Sequence, residues 1–334
     1  MFRNVLISGV GAYNPGKEVK NETIINHFRK YQLDEHVTNL LDKLGRDIRK
    51  QADDSESMIG MGVKASKEAL KEAKLRAEDI DMIISATDTP QYLMPSCALM
   101  IRNELKASNA TSVFDLNNNC VGMISAIDVA SRYLKTDKKF KRALIVGSLH
   151  VSPFAKEDDM ITYSIVGDGA AAVILESKEE EIERGLLATQ MFTDDNYNDT
   201  IRFPECGLHN IVDDNLKGYD RKMQWKPFDF SFLSDKWSEL VVTLLDENEY
   251  KPEHVSHYFM SQFSKDDIKV TLEKLGNNYE QATFIADKYG YTGSASPIMA
   301  LNERLKKEKF KDEELIVFCS VAAGYTMQAL SYKW

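Results

Sequence analysis

Cys120 stands where a β-prone stretch passes into a helix, and it is the residue whose type and position point most directly to chemistry. The stretch 111–116 precedes the cysteine, and the run 121–130 that follows it is apolar enough for a buried helix. A thiol at the start of a helix faces the positive end of the helix dipole, which favours the nucleophilic thiolate. The position therefore predicts a nucleophilic cysteine. The alternative is a free cysteine packed as a small apolar residue.

The composition is that of an ordinary globular protein. The chain has 334 residues, of which 43% are hydrophobic and 28% charged, and this length allows two domains of roughly 150 residues each. The formal net charge of −10 argues against a nucleic-acid partner, which requires clustered lysine and arginine. No apolar stretch approaches the ~18 residues of a membrane span, and the N-terminus does not resemble a signal peptide. We therefore expect neither nucleic acid nor membrane as a partner.

The cysteine pattern predicts neither disulfides nor a metal site. The four cysteines are widely spaced and form no Cys-x-x-Cys pair: Cys97, Cys120, Cys206 and Cys319. Disulfide frameworks and zinc sites both need denser or more regular cysteine spacing. We expect a protein of the reducing cytoplasm with no metal.

The second half of the chain repeats the plan of the first. A helical pattern and a strand flank residues 77–80, and the same order flanks residues 252–255. A Lys-Phe-Lys triplet precedes a strand at 139–141 and again at 309–311. Position 77 thus matches 252 and position 139 matches 309, which gives offsets of 175 and 170. Because helices alternate with apolar strands in both halves, the sequence predicts an α/β protein with buried, largely parallel sheets.

We place the two halves at residues 1–176 and 177–334, with a loop-rich insertion at about 177–230. The charged run at 176–181 is interpreted as a solvated face or a linker. The loops around 194–224 are a candidate cover for a site, although loops of this length can also be inert.

The repeat also maps the cysteine turn onto the second half. Subtracting the offset from the small-residue stretch 291–296 leads close to 117–122, which contains Cys120. In each half a strand is then expected to end in a small-residue turn and enter a helix. Two inward-facing helix starts would form a pocket rich in hydrogen-bond donors and suited to an acyl carbonyl.

The residues with these features resemble a known family over nearly the whole chain. The matching segments are 7–15 (ISGVGAYNP), 45–49 (GRDIR), 86–90 (ATDTP), 94–97 (MPSC), 114–122 (FDLNNNCVG), 166–172 (VGDGAAA), 289–296 (YGYTGSAS) and 322–326 (AAGYT). Their spaced combination resembles the ketoacyl synthases of the thiolase fold, specifically β-ketoacyl-acyl-carrier-protein synthase III. The resemblance implies a thiolase-like fold in which the two halves form α-β-α-β-α layers.

The resemblance assigns roles to residues of this chain. It implies that Cys120 carries the acyl group as a thioester, and that backbone N–H groups of Cys120 and Ala323 form the oxyanion hole. It implies that Met94, Arg49 and Gly324 bind substrate, with Met94 reaching into the acyl pocket of a partner subunit.

Two positions depart from the family pattern. The family's histidine position is Ser261 here, and its asparagine position is Tyr291. In the family, these two residues stabilise the enolate that forms when malonyl thioester loses carbon dioxide. A serine hydroxyl lacks the proton capacity of imidazole, and the loss of one such donor typically costs about 10²–10³ in rate. Ser261 and Tyr291 are catalytic candidates as donors, with a filler serine and a space-filling ring as the alternatives.

Another group would then have to serve as base. The sequence leaves three candidates: His150 after a strand end, and Glu205 and His209 in one loop. His257 is interpreted as a core or interface histidine.

The resemblance also implies partners. The strand at 113–116 is the family's dimer contact, so a homodimer is expected, with a heterodimer with a homologue as the alternative. Three lysines of one predicted helix are candidates for docking an acidic carrier protein, with a solvated face as the alternative: Lys265, Lys269 and Lys274.

The sequence therefore predicts a synthase III-like acyltransferase that acylates Cys120 from an acyl-coenzyme A or acyl-carrier-protein thioester, in fatty-acid or specialised-metabolite synthesis. Coenzyme A or phosphopantetheine acts as the substrate carrier, and no other cofactor is expected. The alternatives are a condensing enzyme with a rearranged base and a non-catalytic partner subunit of a heterodimeric synthase.

Overall fold

Strands and helices alternate along the chain in the computed structural model, which describes residues 1–334. The strands are β1 (Phe2–Tyr13), β2 (Lys17–Lys20), β3 (Ile48–Gln51), β4 (Met82–Ala86), β5 (Ser112–Leu116), β6 (Arg142–Leu149), β7 (Gly169–Glu180), β8 (Gly185–Thr193), β9 (Ile201–Arg202), β10 (Gln224–Trp225), β11 (Val255–Met260), β12 (Leu315–Ala322) and β13 (Thr326–Lys333). The α-helices are α1 (Asn21–Phe28), α2 (Asp34–Leu44), α3 (Met58–Ala73), α4 (Cys97–Leu105), α5 (Gly122–Thr136), α6 (Met160–Ile165), α7 (Leu233–Asp246), α8 (Lys265–Lys274), α9 (Ala286–Tyr289) and α10 (Ser296–Lys307).

Nine of the strands form one sheet in the order β11-β12-β13-β8-β1-β7-β6-β4-β5. Strands β1 and β8 meet at a single residue pair, Val5 with Gly185. The sheet therefore consists of two halves. The first half has five strands in the order β1-β7-β6-β4-β5, and the second has four in the order β11-β12-β13-β8.

The sheet is mixed, so the expectation of largely parallel strands was wrong. Strand β4 is parallel to β5 and β6, and β11 is parallel to β12. The ladders β1–β7, β6–β7, β8–β13 and β12–β13 are antiparallel. Strands β12 and β13 are joined by three residues, a connection too short for a parallel crossover.

Helices cover both faces of each half of the sheet and produce five layers. A core of 29 buried residues lies between the two halves and combines α5 and α10 with strands of both, as Ile127, Ile298 and Phe318 illustrate. The outer face of the first half packs on α3 and α4, and that of the second half on α7 and α8. Each fully buried Leu or Ile contributes about 1.5–3 kcal/mol of transfer free energy. The predicted α-β-α-β-α layering is confirmed.

The internal repeat is visible in the element order. A 3₁₀ turn at Ala77–Asp79 precedes β4, and a 3₁₀ turn at Pro252–His254 precedes β11. The Lys-Phe-Lys triplets lie before β6 and β12. Helices α5 and α10 occupy the shared central layer. The two matches found in the sequence therefore fall at equivalent places of the two halves.

The predicted division after residue 176 falls inside a strand. Strand β7 continues to Glu180 and pairs there with Phe2 of β1. Its charged residues have partners on neighbouring strands, since Glu179 forms an ion pair with Arg3 at 3.1 Å and Glu176 one with Arg142 at 2.8 Å. The run 176–181 is therefore the end of strand β7 for most of its length, so its interpretation as a linker was wrong, while its exposed residues 178 and 179 fit the alternative of a solvated face.

The predicted insertion also contains strand β8, which belongs to the sheet. The loop-rich part is shorter, from the end of β8 at Thr193 to the start of α7 at Leu233. It holds the two-stranded sheet of β9 and β10. Among the helices, none has the length and apolar character that crossing a bilayer requires.

Candidate active site

Cys120 lies at the carboxyl edge of two adjacent parallel strands. Ala86, the last residue of β4, is opposite Leu116, the last residue of β5. From β5 the chain runs into a 3₁₀ turn at Asn119–Val121 that continues as α5. Asn119 adopts a φ of 45°, a left-handed conformation that asparagine tolerates better than most residues. The predicted strand-to-helix turn is present, with Cys120 inside it.

The start of the second central helix meets this turn. A 3₁₀ turn at Gly293–Ala295 leads into α10, and the Ser294 hydroxyl donates a hydrogen bond to the Ala86 carbonyl at 3.4 Å. The Ser320 hydroxyl donates to the Cys120 carbonyl at 3.1 Å. The two helix starts therefore converge beside the end of β4. The predicted strand before the second turn is absent, because Tyr291 forms only one isolated bridge, to Val166.

Cys120 lines a mainly apolar cavity of about 160 Å³. Hydrophobic side chains make up 19 of its 24 lining residues. The loop-rich segment after β8 supplies Ile201, Phe203, Met223, Trp225, Phe228 and Phe230. This segment therefore covers the site, as the sequence suggested. An apolar cavity beside a thiol fits an acyl chain attached to a thioester.

The thiol of Cys120 is neutral at rest. Burial and, to a smaller extent, the negative charge of Asp88 raise its pKa to about 12, against an opposing contribution from the Tyr291 hydroxyl. The helix start was expected to favour the thiolate, but burial of the sulfur and the charge of Asp88 favour the neutral thiol. A base must therefore take the proton when the sulfur reacts.

Ser261 and Tyr291, the two residues predicted to depart from the family pattern, lie in contact. Tyr291 is 8% exposed and lines the cavity, whereas Ser261 is fully buried behind it. Their hydroxyl oxygens are 3.3 Å apart, and the Tyr291 hydroxyl lies near enough to the Cys120 thiol to lower the thiol pKa. Burial and the neighbouring thiol raise the Tyr291 pKa well above its usual value, so the phenol is a neutral donor.

None of the three alternative bases lines the cavity. Glu205 forms an ion pair with Lys156, and His209 is exposed to solvent. His150 is half-buried, and its backbone N–H donates to Thr89 Oγ1 at 3.1 Å. Their positions, after a strand end for His150 and in one loop for Glu205 and His209, do not bring their side chains to the cavity. His257 is buried and hydrogen-bonds with Thr283 at 2.8 Å, which fits its interpretation as a core histidine.

Arg49 does not contact the cavity, contrary to the role that the resemblance implied. It is completely buried on β3. Its guanidinium donates to the Ser164 carbonyl and, at 2.6 Å, to Asn21 Oδ1. Arg49 thus connects β3 to neighbouring segments and is not available to a substrate.

Of the other residues to which the resemblance assigns a role toward substrate, one lines the cavity and two do not. Ala323 lines the cavity, whereas Gly324 does not. Gly324 has a φ of 122°, a conformation that favours glycine, while Ala323 has an ordinary negative φ. Met94 is 87% exposed and lies outside the cavity of its own chain. Their roles toward substrate stay predictions.

Asp88 is the site residue that sequence reasoning missed. It lies two residues beyond β4 and lines the cavity together with Cys120. Its Oδ1 atom is buried and has no hydrogen-bond partner, and burial raises its pKa to about 6. The available signal was topological, since an acid that follows one parallel strand lies near a nucleophile that follows the next.

Comparison with known proteins identifies the family to which the chain belongs. The family model of 3-oxoacyl-[acyl-carrier-protein] synthase III matches residues 114–195, and that of its C-terminal part matches residues 245–334. The chain is 30% identical over 331 residues to β-ketoacyl-[acyl-carrier-protein] synthase III of Aquifex aeolicus, covering 98% of this chain and 99% of that protein. The chain belongs to the 3-oxoacyl-[acyl-carrier-protein] synthase III family.

Solved structures agree with this assignment. The crystal structure of the Aquifex aeolicus synthase III has a TM-score of 0.86 and 28% identity, covering 99% of this chain and 100% of that one. The synthase III of Thermus thermophilus, at 22% identity, has a TM-score of 0.87 and covers 98% and 99%; it supports the fold alone. The predictions of a synthase III-like acyltransferase and of a thiolase-like fold are confirmed.

Proposed function

We propose that this synthase III homologue transfers an acyl group from an acyl-coenzyme A or acyl-carrier-protein thioester to the Cys120 sulfur. The single observation that supports this most strongly is the position of Cys120 in the wall of an apolar cavity. The acyl chain occupies that cavity, and the phosphopantetheine arm of either carrier brings the thioester to the sulfur.

In this proposal the backbone N–H groups of Cys120 and Ala323 stabilise the negative oxygen of the tetrahedral intermediate. Both residues line the cavity. The N–H groups at a helix start lack intrahelical partners and act on a developing oxyanion in a dry site. The family resemblance places a glycine at the Ala323 position. The negative φ of Ala323 is compatible with alanine, so this departure leaves the donor in place.

We propose Tyr291 and Ser261 as a hydroxyl pair that acts on the sulfur and the thioester oxygen. In this role Tyr291 donates toward the sulfur, whose pKa it lowers, and Ser261, 3.3 Å from the Tyr291 hydroxyl oxygen, holds that hydroxyl in position. Neither group carries a proton as imidazole does at neutral pH. The second step is therefore transfer of the acyl group to a nucleophile other than a decarboxylating malonyl thioester, or hydrolysis.

A homodimer is part of the proposal. Strand β5 is the outermost strand of the sheet, so one of its edges is unpaired, and unpaired edges favour strand pairing with another chain. Three neighbouring side chains beyond β4 are exposed and apolar, Tyr92, Leu93 and Met94. Their exposure supports an interface in which Met94 reaches the partner's pocket. Light scattering of the purified protein tests the dimer.

Carrier-protein docking is proposed for helix α8. Lys265 and Lys269 are exposed on it. Lys274 forms an ion pair with Asp235, and Asp266 dilutes the positive charge. The docking surface then depends on two lysines. The reaction is proposed for the cytoplasm, where the four free cysteines stay reduced.

The acylation proposal is tested by incubating the protein with acyl-coenzyme A thioesters from acetyl to decanoyl and measuring the intact mass. We expect one acyl adduct, located on Cys120 by peptide mapping. Cys120→Ala should abolish the adduct. Cys206→Ala should retain it, because Cys206 is also a half-buried free cysteine but lies outside the cavity lining. A spectrum without adduct across all donors contradicts the proposal.

One observation favours a second candidate, a condensing enzyme with a rearranged base. The cavity contains an acidic side chain, Asp88, that the sequence prediction did not consider. Release of carbon dioxide from malonyl thioester by the wild-type protein would support condensation. Acylation without that release supports the first candidate.

A further inference from the structure

Asp88 and Cys120 leave the same edge of the sheet side by side. Strands β4 and β5 are parallel and end in register at Ala86 and Leu116. Asp88 follows the first strand by two residues and Cys120 follows the second by four. Both side chains line the one cavity. The topology thus gives the thiol a carboxyl neighbour.

The cavity offers no other group that can take a proton near neutral pH. Its ionisable lining residues are Asp88, Cys120, Tyr291 and Tyr325, with no histidine, lysine, arginine or glutamate among them. Burial raises the pKa values of both tyrosines above the usual value, so neither accepts a proton from a thiol.

One oxygen of the Asp88 carboxyl group is not engaged elsewhere. Its Oδ1 atom is buried without a hydrogen-bond partner, which is a costly state for a polar atom. Asp168, another acid of this region, shows the contrast: its carboxylate accepts hydrogen bonds from Ala52, Val151 and Ser152. Asp168 is fixed by the fold, whereas Asp88 is open to a ligand or a proton.

We infer that Asp88 is the catalytic acid–base residue of this site. This inference rests on the acyl transfer proposed above and adds the group that moves its protons. As the Cys120 sulfur attacks the thioester carbonyl, the Asp88 carboxylate takes the thiol proton. When the tetrahedral intermediate collapses, the carbon–sulfur bond to the carrier breaks and Asp88 gives the proton to the departing thiolate. The products are acyl-Cys120 and the free carrier thiol, and Asp88 is again a carboxylate.

The same carboxylate serves the second step. With water as acceptor, Asp88 takes one proton from the water as its oxygen attacks the acyl-Cys120 carbonyl. Collapse of that intermediate breaks the bond to the Cys120 sulfur, and Asp88 returns the proton to the sulfur. Any acceptor with an O–H or N–H group follows the same sequence. In this proposal a single half-buried acid takes the role of the family's histidine.

The protonation states of the site fit this role. The pKa of Asp88 is about 6 and that of Cys120 about 12, so at pH 7.5 Asp88 is a carboxylate beside a neutral thiol. A negative charge on Asp88 disfavours a negative charge on Cys120. Once Asp88 has lost its proton, Cys120 therefore loses its own only at high pH. The thiol proton must therefore leave while the new carbon–sulfur bond forms.

The test compares wild type, Asp88→Asn and Asp88→Glu in single-turnover acylation of Cys120 by acyl-coenzyme A, followed by rapid-quench mass spectrometry. Asp88→Asn keeps the shape of the side chain and removes the base, and we expect acylation to slow about 10²–10⁴-fold. Asp88→Glu should recover part of the rate. His150→Gln, a change just outside the cavity, is the matched control and should acylate at the wild-type rate.

A second measurement separates an acid–base role from a structural one. Alkylation of Cys120 by iodoacetamide follows the thiolate, so its pH midpoint reports the Cys120 pKa. Asp88→Asn removes a negative charge and should move that midpoint to lower pH while acylation becomes slower. A disturbed pocket would not produce these opposite changes.

The outcomes distinguish this inference from the proposed function. If wild type acylates and Asp88→Asn acylates equally fast, Asp88 is not the base, although acyl transfer stands. If wild type does not acylate, the proposed function fails. If Asp88→Asn does not fold, the pH dependence of wild-type acylation between about pH 4.5 and 8 decides. General-base catalysis by Asp88 predicts that the acylation rate falls below about pH 6. A rate that does not change with pH overturns the role of Asp88 as base.

Discussion

The hydroxyl oxygen of Tyr291 lies 3.3 Å from that of Ser261. These residues occupy the positions where the synthase III resemblance expects asparagine and histidine. The pair forms a hydrogen-bonded contact near Cys120 and, if the predicted correspondence holds, supplies hydroxyl groups where the family has imidazole. The aromatic ring also forms part of the cavity wall. In the proposed function, these two features determine which step follows acylation of Cys120.

Removing the Tyr291 hydroxyl should make the thiol less reactive. The hydrogen bond from Tyr291 lowers the pKa of Cys120, so Tyr291→Phe should raise it and move the pH midpoint of iodoacetamide alkylation upward. A neutral hydrogen bond contributes about 0.5–1.5 kcal/mol, which corresponds to a several-fold slower alkylation at fixed pH. Tyr325→Phe is the control, because Tyr325 also lines the cavity. An unchanged midpoint in Tyr291→Phe would show that the contact does not act on the sulfur.

Restoring the family pair should require both substitutions. Ser261 is fully buried against Tyr291, so Ser261→His alone overpacks the site and should cost about 1–3 kcal/mol of stability. Tyr291→Asn removes the ring and makes room for the imidazole. We expect carbon dioxide release from malonyl thioester to be highest in the double variant, with a recovered melting temperature. Equal release by wild type and the double variant would contradict the importance of this pair.

Local sequence patterns predicted the part of the site around Cys120. They did not predict the part that is formed by contacts between residues distant in sequence. Cys120 could be placed at a strand-to-helix turn because β5 and α5 are contiguous with it. The rise of its pKa comes mainly from burial, and the cavity that it lines is completed by side chains such as Trp225 and Phe228, more than a hundred residues away in sequence. No local pattern reports such desolvation.

The same reason explains the misassigned bases. Glu205 lies in the loop-rich segment that covers the site, two residues after Phe203 of the cavity lining. Its carboxylate, however, forms an ion pair with Lys156. The run 176–181 looked like a linker because its cross-strand partners, such as Arg3, lie at the far end of the sequence. Asp88 was within reach of sequence reasoning, since adjacent parallel strands end at the same edge of a sheet.

His257 should make folding stability depend on pH. Burial and the positive charge of Arg304 lower its pKa from 6.5 to about 4. Between these values the unfolded chain binds a proton that the folded protein does not, so stability is full above about pH 6.5 and falls by about 1.4 kcal/mol per pH unit as the pH drops toward 4. His257→Gln should flatten this window in urea unfolding at pH 7 and 5, and His36→Gln, at an exposed position, should not. Equal slopes in wild type and His257→Gln would exclude this source.

Enlarging the cavity should shift the acyl-chain preference toward longer donors. The indole ring of Trp225 stacks on Phe263 with centroids 5.8 Å apart and planes 6° from parallel, and both rings line the cavity. Trp225→Ala removes this wall at a cost of up to about 3–5 kcal/mol, less where the loop can collapse. Acylation rates across acetyl to decanoyl thioesters should then fall for short chains and rise for long ones. Leu208→Ala is the control, because this exposed residue of the same loop lies outside the cavity. A uniform fall in rate at every chain length would place the acyl chain elsewhere.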